Sequence, residues 1–317
     1  MILALAGGVG GAKLAQGLAM RCAPADLLVV VNTGDDFVHL GLEISPDLDT
    51  VMYWLAGLND RARGWGMANE TWQFIAALER LGGPAWFMLG DRDIATHIER
   101  TRLLARGETL SEVTEHLCAR LGIRHRIVPM SEGAVRTIVH TDEGALPFQD
   151  YFVRRQCEPR VTGLDYDGAA AARPSAAFDQ TLARDDLDAI VICPSNPLLS
   201  VEPILALSGV RARIEAHRAP VIAVSPIVGG QAIKGPAAKI LRELGREPSA
   251  LEIARHYAGL IDGLVIDDMD ADLTSAIEAL GLQVAVAATV MKTPADQERL
   301  AQTTLKFAAA TSRARRH

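Results

Sequence analysis

Short apolar runs alternating with helical stretches constrain the fold of this 317-residue chain more than any other feature. The runs lie at Ile2–Ala6, Leu27–Val31, 85–89, 123–128, 189–193, Val221–Val224, 264–267 and 283–287. They are strand-length and, apart from 123–128, almost wholly apolar, as strands buried on both faces of a parallel sheet are. Between about 133 and 180 the alternation breaks. Runs at 135–141 and 148–153, around a turn at 142–144, predict an antiparallel hairpin. That insertion would cover the mouth of the sheet or carry a subunit interface. The expected architecture is one α/β domain over 1–317: a doubly wound, mostly parallel, Rossmann-like sheet in a three-layer sandwich, with a hairpin-bearing insertion.

In such a sheet ligands sit outside the carboxyl ends of the strands, so the turns there matter most. The turn after Leu27–Val31 opens NTGDDFVHLGLEISPDLDT, residues 32–50, which holds Asp35, Asp36, Glu43, Asp47 and Asp49 and no Lys or Arg. It reads either as a solvated loop or as a cradle for a hard cation, since Mg²⁺ takes oxygen ligands, often one or two carboxylates plus substrate phosphates. Thr50 is placed to cap a helix over 51–58.

The first strand runs into GGVGGAKL, residues 7–14. Strand, glycine turn and helix aim backbone N–H groups at a phosphate. Gly8, Gly10, Gly11 and Lys13 are therefore candidate nucleotide contacts. Lys13 stands where a dinucleotide fingerprint has its third small residue. Leu14 stands where a P-loop has its Ser or Thr.

Gly90-Asp91-Arg92-Asp93 follows the run at 85–89, with Asp93 as the expected helix cap and Asp91 and Arg92 facing ligand. Asp93, His97 and Arg100 then share one helix face, the spacing of a salt-bridged polar face. Pro194-Ser195-Asn196-Pro197 and Ser225-Pro226 end two successive later runs, and Lys234-Gly235-Pro236 follows. Prolines around Ser and Asn make a rigid turn with exposed polar groups, so these turns are read as a clamp for a base or phosphate. Ser200 is the expected cap of a helix over 201–207. Asp267, Asp268, Asp270 and Asp272 form a second acidic cluster, ranked below the first because no phosphate donors surround it. The basic end, Arg313 to His317, reads as a frayed tail.

A net charge of −7 argues against a nucleic-acid surface. No apolar run is long enough to cross a membrane. The apolar start breaks at once into glycines with no basic region before it, unlike a signal peptide. Four scattered cysteines show no zinc spacing. A cytoplasmic protein with reduced thiols is expected.

Six segments occur in fixed order: GGVGGAKL, NTGDDFVHLGLEISPDLDT, LGDRDIATHIERTRLL, VPMSEGAVRT, ICPSNPLLSVEPIL and AVSPIVGGQAIKGPAAK, with FQDYFV at 148–153. Together the chain resembles the 2-phospho-L-lactate transferase family of coenzyme F-420 biosynthesis over nearly its whole length. The resemblance implies an enzyme that uses Mg²⁺ and works as a homodimer. It implies transfer of a phospho-acyl group (phospholactyl, phosphoenolpyruvyl or phosphoglyceryl) from a GDP-activated donor to the ribityl hydroxyl of the deazaflavin Fo, with release of GMP. Asp36, with Asp47 or Asp49, is expected to hold the metal and position the hydroxyl. Gly8, Gly10, Gly11, Lys13, Ser195, Asn196, Pro197, Ser225 and Pro226 would hold the guanosine nucleotide. Fo is placed near Asp49, Asp91, Arg92 and the residue before Leu89-Gly90-Asp91, here Met88, which can pack on the ring or contribute backbone.

The sequence leaves two rivals. Gluconeogenesis-factor proteins, nucleotide-sugar-binding regulators, resemble the chain in fold and glycine turn. A dinucleotide dehydrogenase is disfavoured by the missing third glycine.

Overall fold

The structure is a computed structural model; it describes residues 1–233 and 235–311. Lys234 and the proposed frayed tail at 313–317 lie outside the described residues. Seven strands form one parallel sheet: β1 Ile2–Ala6, β2 Leu27–Val31, β3 Arg126–Pro129, β4 Ala189–Ile192, β5 Val221–Val224, β6 Gly263–Ile266 and β7 Gln283–Val286. Their order across the sheet is 3-2-1-4-5-6-7. β1 pairs with β2 on one side, Ile2 opposite Leu27, and with β4 on the other, Ile2 opposite Ala189. The winding reverses between β1 and β4, which puts the switch-point crevice there.

Period-two alternation sends successive residues to opposite faces. Leu3, Leu5, Leu28 and Val30 enter one apolar cluster, and Ile2, Ala4, Ala6, Val29 and Val31 the other. Both faces of the sheet are thus covered over its central strands, which explains why those strands read as unbroken apolar runs; the edge strand Gln283–Val286 is only half-buried. Helix α1, Gly8–Arg21, lies on the second face. There it packs against α2, Pro46–Leu55, and the C-terminal helix Pro294–Ala310.

The run at 85–89 is not a strand. Phe87 and Leu89 instead join Phe37, Ile44 and Ile94 in a small separate cluster. Phe87 meets Phe37 edge-on, with ring centroids 4.9 Å apart. Of the run only Leu89 is buried, and aromatic neighbours outside the sheet cover part of Phe87. The run sits between α3, Gln73–Arg80, and α4, Asp91–Leu104. Gly90, not Asp93, is the N-cap of α4.

Helix α2 begins at Pro46, earlier than expected, so Thr50 lies inside it and Asp47 and Asp49 fall in its first turn. Proline is tolerated there because its missing N–H has no helical partner. The insertion is a three-stranded antiparallel sheet: Arg136–Thr141 is central, flanked by Gly144–Pro147 and Val161–Asp167. Residues 148–153 are not its second strand. Asp150–Arg154 forms a wide helical turn that buries Phe148 and Tyr151 and leaves Phe152 exposed. Val135, Val139 and Val161 enter the same apolar cluster as Leu3 and Leu5.

Candidate active site

A cleft of about 560 Å³ opens at the carboxyl ends of the strands, over the switch point. Its floor is the glycine turn. Gly8 adopts φ +61°, a left-handed conformation that suits glycine, and starts α1. A side chain at Gly10 would strike the Pro194 carbonyl, and one at Gly11 would strike Ser195 Oγ. These glycines therefore let the 194–196 turn close onto the start of the helix. The Gly7 N–H donates to Ser195 Oγ at 3.0 Å, and the Gly8 N–H to Asp47 Oδ1 at 2.7 Å. Gly8, Gly10, Lys13, Ser195 and Asn196 line the cleft, whereas Gly11 and Pro197 stand behind it. Lys13 donates to the Met291 carbonyl at 2.7 Å and lies over the Trp54 ring.

Asn196 Oδ1 accepts from the Leu198 and Leu199 N–H groups, so its oxygen caps the turn Pro197–Val201. Ser200 lies within that turn and is not the cap expected of it. Ser225 and Pro226 also line the cleft. The Ser225 hydroxyl donates to the Ile227 carbonyl and accepts the Ile227 N–H.

The acidic stretch folds inward. Asp47 Oδ2 accepts from Asn32 Nδ2 at 2.9 Å. Asp35 lines the cleft beside it, and among the described residues its buried Oδ1 has no hydrogen-bond partner. Burial first, then repulsion from Asp47, holds the Asp35 carboxyl well above the usual carboxylate range; burial raises Asp47 as well. Asp36 is buried but does not line the cleft, and its Oδ2 accepts from Ser45 Oγ at 2.9 Å. Burial pushes Asp36 up to about 8, against the pull of Ser45, Arg100 and Arg136.

One wall is made where α2 meets α4. Asp49, Tyr53, Asp93 and His97 all line the cleft. Arg100 grips Asp49 with both terminal nitrogens, and the Tyr53 hydroxyl donates to Asp93 Oδ1 at 2.6 Å. The polar face expected from Asp93, His97 and Arg100 is real, but it points inward. Asp91 and Arg92 do not line the cleft. Asp91 accepts from Thr71 Oγ1 and the Gln73 and Phe74 N–H groups, and Arg92 donates to the Ala68 carbonyl at 2.7 Å. They clamp the 68–74 segment onto α4.

The outer end of the cleft is apolar. Met88 lines it, joined by Trp65, Phe148 and Phe152. Phe148 and Phe152 stack with centroids 5.2 Å apart and planes 10° from parallel. Gln149 reaches inward and donates to the Asp35 carbonyl at 3.3 Å. Reading 148–153 as a strand hid these contacts; Phe148, Gln149 and Phe152 at a helical spacing were the available signal.

Among the described residues no group of three or more His, Cys, Asp or Glu side chains is arranged to hold a metal. In the second acidic cluster two of the four carboxylates hold loop backbone. Asp267 accepts from the Thr289 N–H and hydroxyl and the Met269 N–H, and Asp270 accepts from the Gly229 N–H.

A doubly wound α/β sheet with a glycine turn, paired carboxylates and proline-flanked turns converging on its switch point defines an α/β protein whose ligand site lies at the strand carboxyl ends. Sequence comparison narrows the class. Residues 2–308 match the model of the family described as 2-phospho-L-lactate transferase CofD, and the chain belongs to that family of transferases. It is 43% identical over 288 residues to a phosphoenolpyruvate transferase of Streptomyces griseus, covering 89% of this chain and 90% of that one. A phosphoenolpyruvate transferase of Kitasatospora aureofaciens is 41% identical, with 97% of each chain covered. A 2-phospho-L-lactate transferase of Methanosarcina acetivorans is 38% identical, covering 95% of this chain and 97% of its own. The crystal structure of a UPF0052-family protein from Bacillus halodurans superposes with a TM-score of 0.61 at 13% identity. That match covers 96% of this chain and 98% of the other, and carries the fold alone.

Proposed function

We infer that the protein transfers a phospho-acyl group from a GDP-activated three-carbon phospho-acid to the ribityl hydroxyl of the deazaflavin Fo, in coenzyme F-420 biosynthesis. The observation that carries this reading is Asp47 on the N-terminus of α1, with Asp35 lining the same cleft, which has an aromatic-lined outer end. The hydroxyl oxygen bonds to the phosphorus carrying the acid, and the bridging P–O bond breaks with its electron pair going to GMP. The hydroxyl proton ends in solvent. Such transfers depend mainly on positioning and on neutralising phosphate charge.

Asp35 and Asp47 are the residues that would hold Mg²⁺. Two buried carboxylates, one oxygen unpartnered and both reluctant to ionise, fit an ion that completes its shell with substrate oxygens. When bound, Mg²⁺ would neutralise the diphosphate charge. The amides at the start of α1, with Lys13, would receive the phosphates. The turns at Ser195-Asn196 and Ser225-Pro226 would hold the guanosine, and Met88, Phe148 and Phe152 the deazaflavin ring. Names of the Streptomyces and Kitasatospora relatives favour phosphoenolpyruvate as the acid. Among the described residues no helix is long and apolar enough to cross a membrane, and we place the enzyme in the cytoplasm as a homodimer. The 36–43% identity to transferases disfavours a nucleotide-sugar regulator.

The test is mass spectrometry of a reaction holding the protein, Mg²⁺, Fo and the three guanylylated acids (phospholactate, phosphoenolpyruvate, phosphoglycerate) together. One dominant Fo adduct with matching GMP, lost on adding EDTA, is the expected result. No adduct and no Fo binding would overturn it.

A further inference from the structure

Arg100 heads the largest fully buried side chains of the described residues. It does not line the cleft, yet its Nη1 donates to Asp49 Oδ2 at 3.1 Å and its Nη2 to Asp49 Oδ1, and Asp49 does line it. Nη1 also lies 3.2 Å from His97 Nδ1 and 3.4 Å from the Glu43 carbonyl. His97 Nδ1 also lies 3.6 Å from Asp49 Oδ2, and its Nε2 lies 3.4 Å from Asp93 Oδ1. Asp93 is held in turn by the Tyr53 hydroxyl at 2.6 Å. Asp49 and Tyr53 lie one turn apart on α2, and Asp93, His97 and Arg100 lie on one face of α4.

Bolting α2 to α4 does not require this chemistry. Taking an ion pair out of water is costly, and a well-packed apolar pair would hold two helices at least as well. What the fork supplies is orientation. A carboxylate has about four lone-pair directions. The fork engages one on each oxygen and fixes the plane of the group, leaving the others in a set direction. A carboxylate held in that way is suited to aligning a hydroxyl.

We propose that Arg100 is the positioning residue for the acceptor: it fixes Asp49 so that Asp49 takes the hydrogen bond of the attacking ribityl hydroxyl. This rests on the transferase reading above. Arg100 acts through Asp49 and touches no substrate. His97 packs against the fork from the same face of α4.

The experiment is steady-state kinetics of the full chain with Mg²⁺, Fo and the guanylylated acid that reacts best, for wild type, Arg100→Lys, Asp49→Asn, the double variant and Asp49→Glu. Lysine keeps the charge but cannot form the fork. Arg100→Lys is expected to lower kcat by about 100-fold, the scale of a 1 Å misplacement. KM for the guanylylated donor stays within about twofold, because the donor does not depend on Asp49. In the Asp49→Asn background the same change costs less than about threefold, since its route of action is already gone. Asp49→Glu keeps both charges but moves the carboxylate by one methylene; it is expected to lose kcat as Asp49→Asn does while the protein stays folded, with Tm lowered by the overpacking. This variant decides the matter if Arg100→Lys fails to fold. Independent, multiplicative losses in the double variant, or wild-type kcat in Asp49→Glu, would overturn the inference and leave Arg100 a structural bolt. A wild-type protein that makes no Fo adduct overturns the reaction itself, and the inference with it.

Discussion

The backbone N–H of Gly8 donates to Asp47 Oδ1 at 2.7 Å, across 39 positions of sequence. The acidic stretch and the glycine turn are therefore one site, with a carboxylate resting on the helix end where a phosphate is expected. Both oxygens of Asp47 act as acceptors, Oδ1 for Gly8 and Oδ2 for Asn32.

Asp47→Asn removes the charge and one acceptor. Whichever way the new amide turns, one donor faces another donor. We expect turnover to fall by at least about 100-fold, and stability by about 1–3 kcal/mol. Kinetics and urea denaturation check both; near-normal turnover would remove Asp47 from the metal site.

In metal-free protein, stability should fall as pH rises from about 4 to about 8. Burial raises the Asp36 carboxyl from 3.8 to about 8, and lifts Asp35 and Asp47 in the same direction. Between those limits the unfolded chain has lost a proton that the folded chain keeps, so raising pH favours unfolding. The contribution is complete below the unfolded value and gone above about 8. Mg²⁺ should reverse the trend, because it binds the ionised pair: the rise in Tm it causes should be larger at pH 8 than at pH 6. Asp36→Asn should flatten the metal-free slope. Thermal unfolding at several pH values, with and without Mg²⁺, measures all three; a metal-free Tm that climbs through this range would contradict the assignment.

The sheet and its switch point were legible because strands buried on both faces read as apolar runs, and six of the seven have a polar or glycine turn at their carboxyl end. The site was legible in part. Asp47, Asp49, Lys13, Ser195, Asn196, Ser225 and Pro226 line the cleft. Which of two adjacent carboxylates, Asp35 or Asp36, reaches the cleft depends on how the chain turns after Gly34, and sequence spacing does not carry that. Asp91 looked like a ligand group because a capping carboxylate and a binding carboxylate have the same sequence signature. The run at 85–89 misled because apolar residues partly covered by aromatic neighbours read like those of a strand in a sheet.

Gly10→Ala should disable the nucleotide end of the cleft. The added methyl meets the Pro194 carbonyl, so α1 and the 194–196 turn must separate. Overpacking of this kind costs about 1–3 kcal/mol. The variant is expected to lose the stabilisation that GDP gives wild type in a thermal shift assay, beyond any drop in its own Tm. An unchanged GDP shift would mean that the turn does not form the phosphate site.

The second acidic cluster gives the opposite expectation. Asp270 holds the Gly229 N–H, so Asp270→Asn should lower Tm and leave the Mg²⁺ dependence of the rate unchanged. A cost of about 1–2 kcal/mol is in the range for a weakened hydrogen bond to a charged group. A raised Mg²⁺ requirement in this variant would restore the cluster as a metal site.

The outer cleft separates donor from acceptor most simply. Phe152 is 38% exposed, yet its ring stacks on buried Phe148, so an apolar face is held open at the cleft at little further entropic cost. A flat heteroaromatic ring would gain about 1.4 kcal/mol from such a platform, which corresponds to about tenfold in affinity. Phe152→Ala should therefore raise KM for Fo about tenfold while leaving KM for the guanylylated donor and the Tm near wild type, because the side chain lies at the surface, remote from the sheet core. The converse result, a raised donor KM with Fo unaffected, would exchange the two ends of the cleft and put the guanosine on the aromatic platform. Steady-state titration of each substrate at saturating levels of the other distinguishes the two orientations.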